Sequence, residues 1–176
     1  NHIEYLHMDI FDGHFVKNLG FPPEVIKTVR GLTNIPFDFH FCVEEPMNFF
    51  NMFDIRVGDY VSIDYNTTKN IYKTLQTIQE IGAKPSISLS PSTSLCVLDY
   101  LWDVIDMIMI MTVSPGMAGQ KLVPITLEKI KDLRKLLDRK DMDIPIEVDG
   151  NVSFVNARLM SQAGANIFVA GTSSIF

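Results

Sequence analysis

Seven short apolar runs, too continuous to form the single dry face of a half-wetted sheet, set the limits on what this chain can become. The candidate strands are Tyr5–Ile10, Pro36–Val43, Asp59–Asp64, Pro85–Leu89, Ile105–Val113, Ile144–Val148 and Asn166–Ala170. Most are rich in Ile, Val, Phe and Met, which suits parallel strands covered on both faces. Helical patterns fill the gaps. Pro23–Arg30 opens on a proline and places Val25, Ile26 and Val29 on one side. Pro46–Ile55 reads as a short aromatic-rich helix and Ser94–Trp102 as one carrying Leu95, Leu98 and Leu101. Thr68–Ile81 sets Ile71, Leu75 and Ile78 on one stripe and stops at Gly82. Thr126–Arg139 gathers Leu127, Ile130, Leu133, Leu136 and Leu137, and Val152–Ala163 ends at Gly164.

Seven strands alternating with six helices predict a parallel α/β fold. An open doubly wound sheet and a closed (β/α)8 TIM barrel compete. No GxGxxG follows the first strand, which weakens the dinucleotide-binding version of the open sheet. Polar residues at the C-terminal ends of several strands favour the barrel, which builds its site there. The count falls one strand and about two helices short of eight βα units, so the expectation is a barrel lacking its first strand and helix and its last helix. The 176 residues are expected to form one domain, incomplete at both ends.

Composition bounds the partners. With 47% hydrophobic and 20% charged residues the chain reads as globular and soluble. Its net charge of −6, without any basic block, argues against a nucleic-acid partner. It leaves room for a small anion held by backbone N–H groups. No run is long enough to span a bilayer, so no membrane partner is expected. Cys42 and Cys96 have neither CxxC nor zinc-finger spacing, which fits free thiols in a reducing cytoplasm.

The strand ends carry the candidate chemistry. In Leu6-His7-Met8-Asp9-Ile10-Phe11-Asp12-Gly13-His14-Phe15-Val16, alternation turns His7 and Asp9 to one face and Leu6, Met8 and Ile10 to the other. By itself a His-x-Asp on a strand is more often a hydrogen-bonded pair than a ligand set. The second candidate strand adds Asp38 and His40, and the sixth adds Glu147 and Asp149. In a barrel His7, Asp9, His40 and Asp149 could converge on one mouth, a set suited to Zn²⁺, Mn²⁺, Fe²⁺ or Co²⁺. Against this stand a core histidine at His40 and carboxylates that merely cap the next helix. Thr112–Gln120 is a Gly/Pro-rich loop suited to a lid. Gly150-Asn151 and Gly171-Thr172-Ser173 follow the last two strands, where barrels often bind phosphate.

Five blocks in register over essentially the whole chain resemble the ribulose-phosphate 3-epimerases and their relatives acting on allulose 6-phosphate. The first-strand segment is similar to LHxDxMDGxFVPN, and Asp38-Phe39-His40-Phe41-Cys42-Val43 to DxHLMV. Met111–Gln120 is similar to MTVxPGFxGQ, Glu147-Val148-Asp149-Gly150 to EVDGG, and Val169–Ser173 to the final phosphate-binding strand and turn. The resemblance implies a (β/α)8 barrel, one divalent metal ion on His7, Asp9, His40 and Asp149, and an acid/base pair of Asp9 and Asp149. It implies a substrate cover from Gly116, Ala118, Gly119 and Gln120, a packing role for Met111, and a phosphate site at Gly150, Asn151, Gly171, Thr172 and Ser173. The implied activity is metal-dependent 3-epimerisation of a ketose phosphate, D-ribulose 5-phosphate to D-xylulose 5-phosphate, in the pentose phosphate pathway of the cytoplasm by a homo-oligomer. The alternatives are an allulose-6-phosphate 3-epimerase and a barrel that binds a sugar phosphate without turning it over. A decarboxylase or aldose–ketose isomerase is a third reading, and Ser90 ends its strand where some of these would carry a lysine.

Departures from the family pattern leave these ligands intact. Asp64 stands in place of a histidine, and Phe11 and Cys42 in place of methionines. Lys17 replaces the Pro of FVPN, Met117 the Phe of the lid and Asn151 the second Gly of DGG. Pentulose or hexulose phosphate, the metal's identity and the oligomeric state stay open at this point.

Overall fold

A computed structural model describes residues 3–175, so the expected domain span of 1–176 reaches past the described residues at both ends. The chain divides into two compact units, Asn1–Ile87 and Ser88–Phe176. In the first unit the order is β1 (Leu6–Phe11), α1 (Pro23–Arg30), β2 (Phe37–Cys42), β3 (Tyr60–Asp64), α2 (Ile71–Ile81) and the start of β4 (Lys84–Leu89). β1, β2, β3 and β4 are neighbours in that order. β1 and β2 run parallel with His7 opposite Asp38 and Asp9 opposite His40, and β2 and β3 run parallel with His40 opposite Ser62.

β2 shows why the apolar run reads as a strand buried on both faces. Every one of its residues is buried. Phe37, Phe39 and Phe41 form one face, and Phe50 and Phe53 pack edge-on against Phe41, with Phe53 also against Phe39. Those two partners come from the segment read as a helix over Pro46–Ile55, and here the structure corrects the expectation. It holds two 3-10 turns, Pro46–Asn48 and Phe50–Met52, entered through Glu45 in the left-handed region at φ 50°. Pro46, Phe49, Phe50 and Phe53 do recur at a helical period, but the segment closes as two short 3-10 turns that seat Phe50 and Phe53 against the β2 phenylalanines.

At the start of β2 and β3 lies a buried ion pair. Arg30, the last residue of α1, reaches Asp59 through Nη2 at 2.5 Å and Nη1 at 3.1 Å. Its guanidinium stacks over the Phe37 ring, 3.6 Å from the centroid. α1 spans Pro23–Arg30 as its proline start predicts, but its buried side chains are Ile26 and Arg30, while Val25 is exposed.

The second unit contains β5 (Met107–Met111), α3 (Ile125–Arg139), β6 (Ile146–Asp149), α4 (Phe154–Ala163) and β7 (Ile167–Phe168). β5 pairs parallel with β6, placing Met111 opposite Asp149, and β6 pairs parallel with β7. α3 buries Thr126, Ile130, Leu133 and Leu137, with Leu127 and Leu136 half-buried beside them. Arg134 of α3 donates to the carbonyl of Gly164, which closes α4. The segment Ser94–Trp102 is a second correction: only a 3-10 turn, Leu95–Leu98, forms. Its run Cys96-Val97 followed by Asp99-Tyr100 contains no strong helix former apart from the leucines.

Parallel strands, joined in turn by helices or helical turns, are the βα alternation of a barrel or of an open doubly wound sheet. Among the described residues no helix is long and apolar enough to cross a membrane.

Candidate active site

The first unit concentrates titratable groups along one face of β1 and β2. Parallel pairing with no offset brings His7 level with Asp38 and Asp9 level with His40. His7 Nδ1 meets Asp38 Oδ2 at 2.5 Å, and His40 Nδ1 meets Asp9 Oδ1 at 3.1 Å. His7 Nε2 lies 3.5 Å from Asp9 Oδ1. The ring centroids of His7 and His40 are 5.7 Å apart. Exposure divides the group: the side chains of His40 and His7 are 1% and 15% exposed, whereas that of Asp9 is 40% exposed. The imidazoles thus form a buried floor, and Asp9 is the member open to a substrate.

Backbone packing fixes Asp9. The chain after β1 doubles back, with Asp12 bridging Leu19, and the N–H of Phe21 donates to the Asp9 carbonyl at 3.1 Å. Gly20 sits directly on that strand, where a Cβ would run into the Asp9 carbonyl and the Phe11 nitrogen. Only glycine permits this approach.

The electrostatics follow from the contacts. Burial pushes both histidines down, but it is overcome. The carboxylates of Asp38 and Asp9 hold His7 well above the usual imidazole value, and Cys42 and Asp9 do the same for His40. Burial pushes the Asp9 carboxyl up, yet the hydrogen bond from His40 and the attraction of both imidazoles hold it well below the usual carboxylate range.

This donor set fits a divalent transition-metal ion. Two imidazoles and a carboxylate offer ligand atoms within 4.8 Å of one another. Asp38 holds His7 by Nδ1, as outer-shell carboxylates hold metal-binding histidines. The opposite nitrogen, Nε2, is buried and makes no hydrogen bond among the described residues. A buried nitrogen whose nearest acceptor, Asp9 Oδ1, is 3.5 Å away is poorly satisfied, and a metal ion would satisfy it.

In the second unit Asp149 ends β6. Thr112 clamps its main chain: the Thr112 N–H and Oγ1 donate to the Asp149 carbonyl at 2.7 and 2.9 Å, and Oγ1 also donates to the Gly150 carbonyl. The chain then turns through Gly150 at φ 116° and Asn151 at φ 50°, both in the left-handed region. A Cβ on Gly150 would strike Val113. The cap of α4 is Ser153, whose hydroxyl accepts from the Asn156 N–H at 3.2 Å, so Asp149 is not the capping carboxylate.

The other candidate residues gather around Asn151. Its Nδ2 donates to the Gln120 carbonyl at 2.8 Å and to Ser173 Oγ at 3.5 Å. Asn156 Nδ2 holds Asn151 in place through both its carbonyl and its Oδ1. Gln120 ties off its own loop by donating to the carbonyls of Ser114 and Met117 at 2.6 and 2.8 Å. Gly116, Ala118 and Gly119 lie within that loop, whose Met117 is exposed. Gly171 begins a turn over Thr172 and Ser173, accepting from the N–H of Ser174 and Ile175. Met111 is buried at the end of β5.

By sequence alone Asn156 has no role, Asp38 counts only among the strand-end candidates and Thr112 belongs only to the lid loop. For Asp38 a signal existed, since it shares the His40 face of its strand. Thr112 and Asn156 act through backbone and amide bonds that no residue pattern announces.

A family model for the "Ribulose-phosphate 3 epimerase family" matches residues 1–176. The chain belongs to that family. It is 37% identical to the ribulose-phosphate 3-epimerase of Bacillus subtilis over 169 residues, 96% of this chain and 78% of that one. It is 37% identical to the ribulose-phosphate 3-epimerase of Escherichia coli K12 over 98% of this chain and 77% of that one. With the chloroplastic ribulose-5-phosphate-3-epimerase of Arabidopsis thaliana it shares 36% identity over 97% of this chain and 61% of that one. Among solved structures, the N-terminal domain of a Bacteroides vulgatus protein provisionally assigned as an aldolase superposes with a TM-score of 0.51 at 13% identity. That match covers 84% of this chain and about half, 52%, of the other, and it bears on the fold alone. The ribulose-phosphate 3-epimerase family is a family of TIM-barrel isomerases, and the alternating parallel units of this member are part of a (β/α)8 barrel.

Proposed function

We propose that this protein is a metal-dependent ketose-phosphate 3-epimerase interconverting D-ribulose 5-phosphate and D-xylulose 5-phosphate. Membership of the family supports the reaction class, and the curated relatives carry the pentulose phosphate in their names. The observation that carries the reading is the β1–β2 cluster, where the buried His40 and the part-buried His7 flank the accessible Asp9 carboxylate.

The proposed metal set is His7, Asp9, His40 and Asp149. When bound, a divalent ion supplies positive charge that stabilises negative charge developing on the substrate's oxygens. Asp9 and Asp149 are the proposed acid/base pair. One carboxylate removes the C3 proton from one face, giving an enediolate, and the other returns a proton to the opposite face. Asp38 and Thr112 hold His7 and the Asp149 main chain so that these groups need not reorganise. The N–H groups of the turns at Gly150-Asn151 and Gly171-Thr172-Ser173 surround the phosphate, and Gly116–Gln120 covers the sugar with Met111 packed beneath it. Anion binding by backbone suits a chain of net charge −6.

On this reading residues 1–176 act as one barrel domain, in the cytoplasm, as a homo-oligomer with no nucleic-acid or membrane partner. The test is exchange of the C3 proton of ribulose 5-phosphate in D₂O, with wild type and Asp149→Asn. Deuterium enters with wild type and is strongly reduced in the variant. Exchange with allulose 6-phosphate alone would move the assignment to the hexulose phosphate. Absence of exchange with either, in metal-replete protein, would sink the epimerase reading.

A further inference from the structure

The two buried imidazoles face Asp9 with opposite nitrogens. His7 gives Nδ1 to Asp38 and points Nε2 toward Asp9. His40 instead presents Nδ1 to Asp9 and sets Nε2 3.2 Å from the Sγ of Cys42, with Nδ1 farther from that sulfur at 3.9 Å. Cys42 follows His40 by two residues on β2, so strand alternation puts both side chains on one face. Both residues are buried, at 0% and 1% exposure, so bulk water does not compete for Nε2.

We propose that Cys42 is the positioning residue of His40. Its sulfur accepts the Nε2–H, which leaves the Nδ1 lone pair directed at Asp9, as Asp38 selects Nε2 of His7. A neutral imidazole carries one proton and one lone pair, so whichever nitrogen donates to a neighbour determines which is free to bind a metal. The two second partners differ in strength: a carboxylate is a charged acceptor, whereas sulfur is a weak one. The orientation of His40 thus involves a residue that carries no ligand role.

The inference rests on the metal reading above, and the test separates the two. Ring-nitrogen NMR of the zinc-loaded wild type should show His40 protonated at Nε2 with Nδ1 on the metal, and His7 protonated at Nδ1 with Nε2 on the metal. Zinc affinity, measured by chelator competition, should fall about 10-fold or more in Cys42→Ala and recover largely in Cys42→Ser, which restores an acceptor. A pure packing role would leave the serine variant no better than alanine. His40 bound through Nε2, or unchanged affinity in Cys42→Ala, would overturn the assignment. Unchanged zinc affinity in His40→Ala would instead remove the metal reading itself. The wild-type spectrum is decisive without any variant, should Cys42→Ala fail to fold.

Discussion

Within the first unit, charge is buried in two places along β2, and the two differ in what they leave over. At the start of the strand, the Asp59 carboxylate accepts from Arg30 Nη1 and Nη2 and from the N–H groups of Phe37 and Arg56. Arg30 also donates to the Asp54 carbonyl, and only its Nε lacks a partner among the described residues. Further along the strand and on its opposite face, His7, Asp9, Asp38 and His40 are close to one another, yet among the described residues His7 Nε2 and Asp38 Oδ1 make no hydrogen bond. A carboxylate whose two oxygens each accept twice, as in Asp59, fixes a strand. A cluster with a buried atom to spare is suited to taking a ligand.

Asp9→Asn is the substitution with the largest expected consequence for turnover. Loss of one proton-transfer carboxylate lowers the epimerisation rate by about 10²- to 10⁴-fold. Asp9 is 40% exposed but pairs with two imidazoles that its charge holds toward the protonated form, so the metal-free variant should also show a lower urea midpoint, though by less than loss of the Asp59 carboxylate. Steady-state kinetics and urea denaturation of the same preparation check both halves. A variant that unfolds readily would place Asp9 with the structural charges.

Asp59→Ala reverses the pattern. Stranding the buried Arg30 charge should cost about 3–5 kcal/mol, read as a fall in the urea midpoint, with metal affinity of the folded protein unchanged. The double change Arg30→Met with Asp59→Leu should recover most of that loss, since removing both charges strands neither. Failure to recover would mean that the pair fixes the register of β2 and β3 rather than merely neutralising itself.

The third consequence concerns protons. The raised values of His7 and His40 favour the protonated imidazoles in the metal-free protein, because attraction to Asp38, Cys42 and Asp9 outweighs burial. An ion can bind only after those protons leave, so affinity should rise with pH until both values are passed. Calorimetry in two buffers of different ionisation enthalpy should register proton release on zinc binding. Equal heats in the two buffers would show that the histidines are already neutral. The Arg30–Asp59 pair contributes nothing to this signal, since arginine keeps its proton throughout.

Much of this was legible in the residues, for reasons that differ by element. Phe37–Cys42 could be read as a doubly buried strand because a parallel strand with helices on its faces has no wet side. His7 and Asp9 could be placed on one face because the pleat has a period of two. Pro46–Ile55 could not be read correctly, since its conformation answers to Phe39 and Phe41, residues distant in sequence. Nor could the sequence reveal that His7 and His40 turn different nitrogens to Asp9. Ring orientation is decided by Asp38 and Cys42, and their relation to the rings emerges only when β1 and β2 align without offset.

The smallest effect lies at Asp12, which links the loops leaving the functional ends of β1 and β2. Its Oδ1 accepts from the N–H of His14 and Phe15 at 2.8 and 3.0 Å, and its Oδ2 from the N–H of Glu44 at 2.8 Å. Burial is the largest single influence and pushes the carboxyl up, but the backbone donors together outweigh it and hold it below the usual carboxylate range. A carboxyl depressed on folding stabilises fully above its unfolded value near pH 4, and that contribution is lost as pH falls through the folded value. Asp12→Asn should therefore cost about 1 kcal/mol or less at pH 7, with the gap closing toward pH 3. Hydrogen exchange gives the sharper measurement, because the Glu44 amide should lose protection in the variant while amides around Asp59 keep theirs. Loss of protection at both would show that the two charged regions of β2 open as one unit, and the separation between a rigid base and an adjustable mouth would then fail.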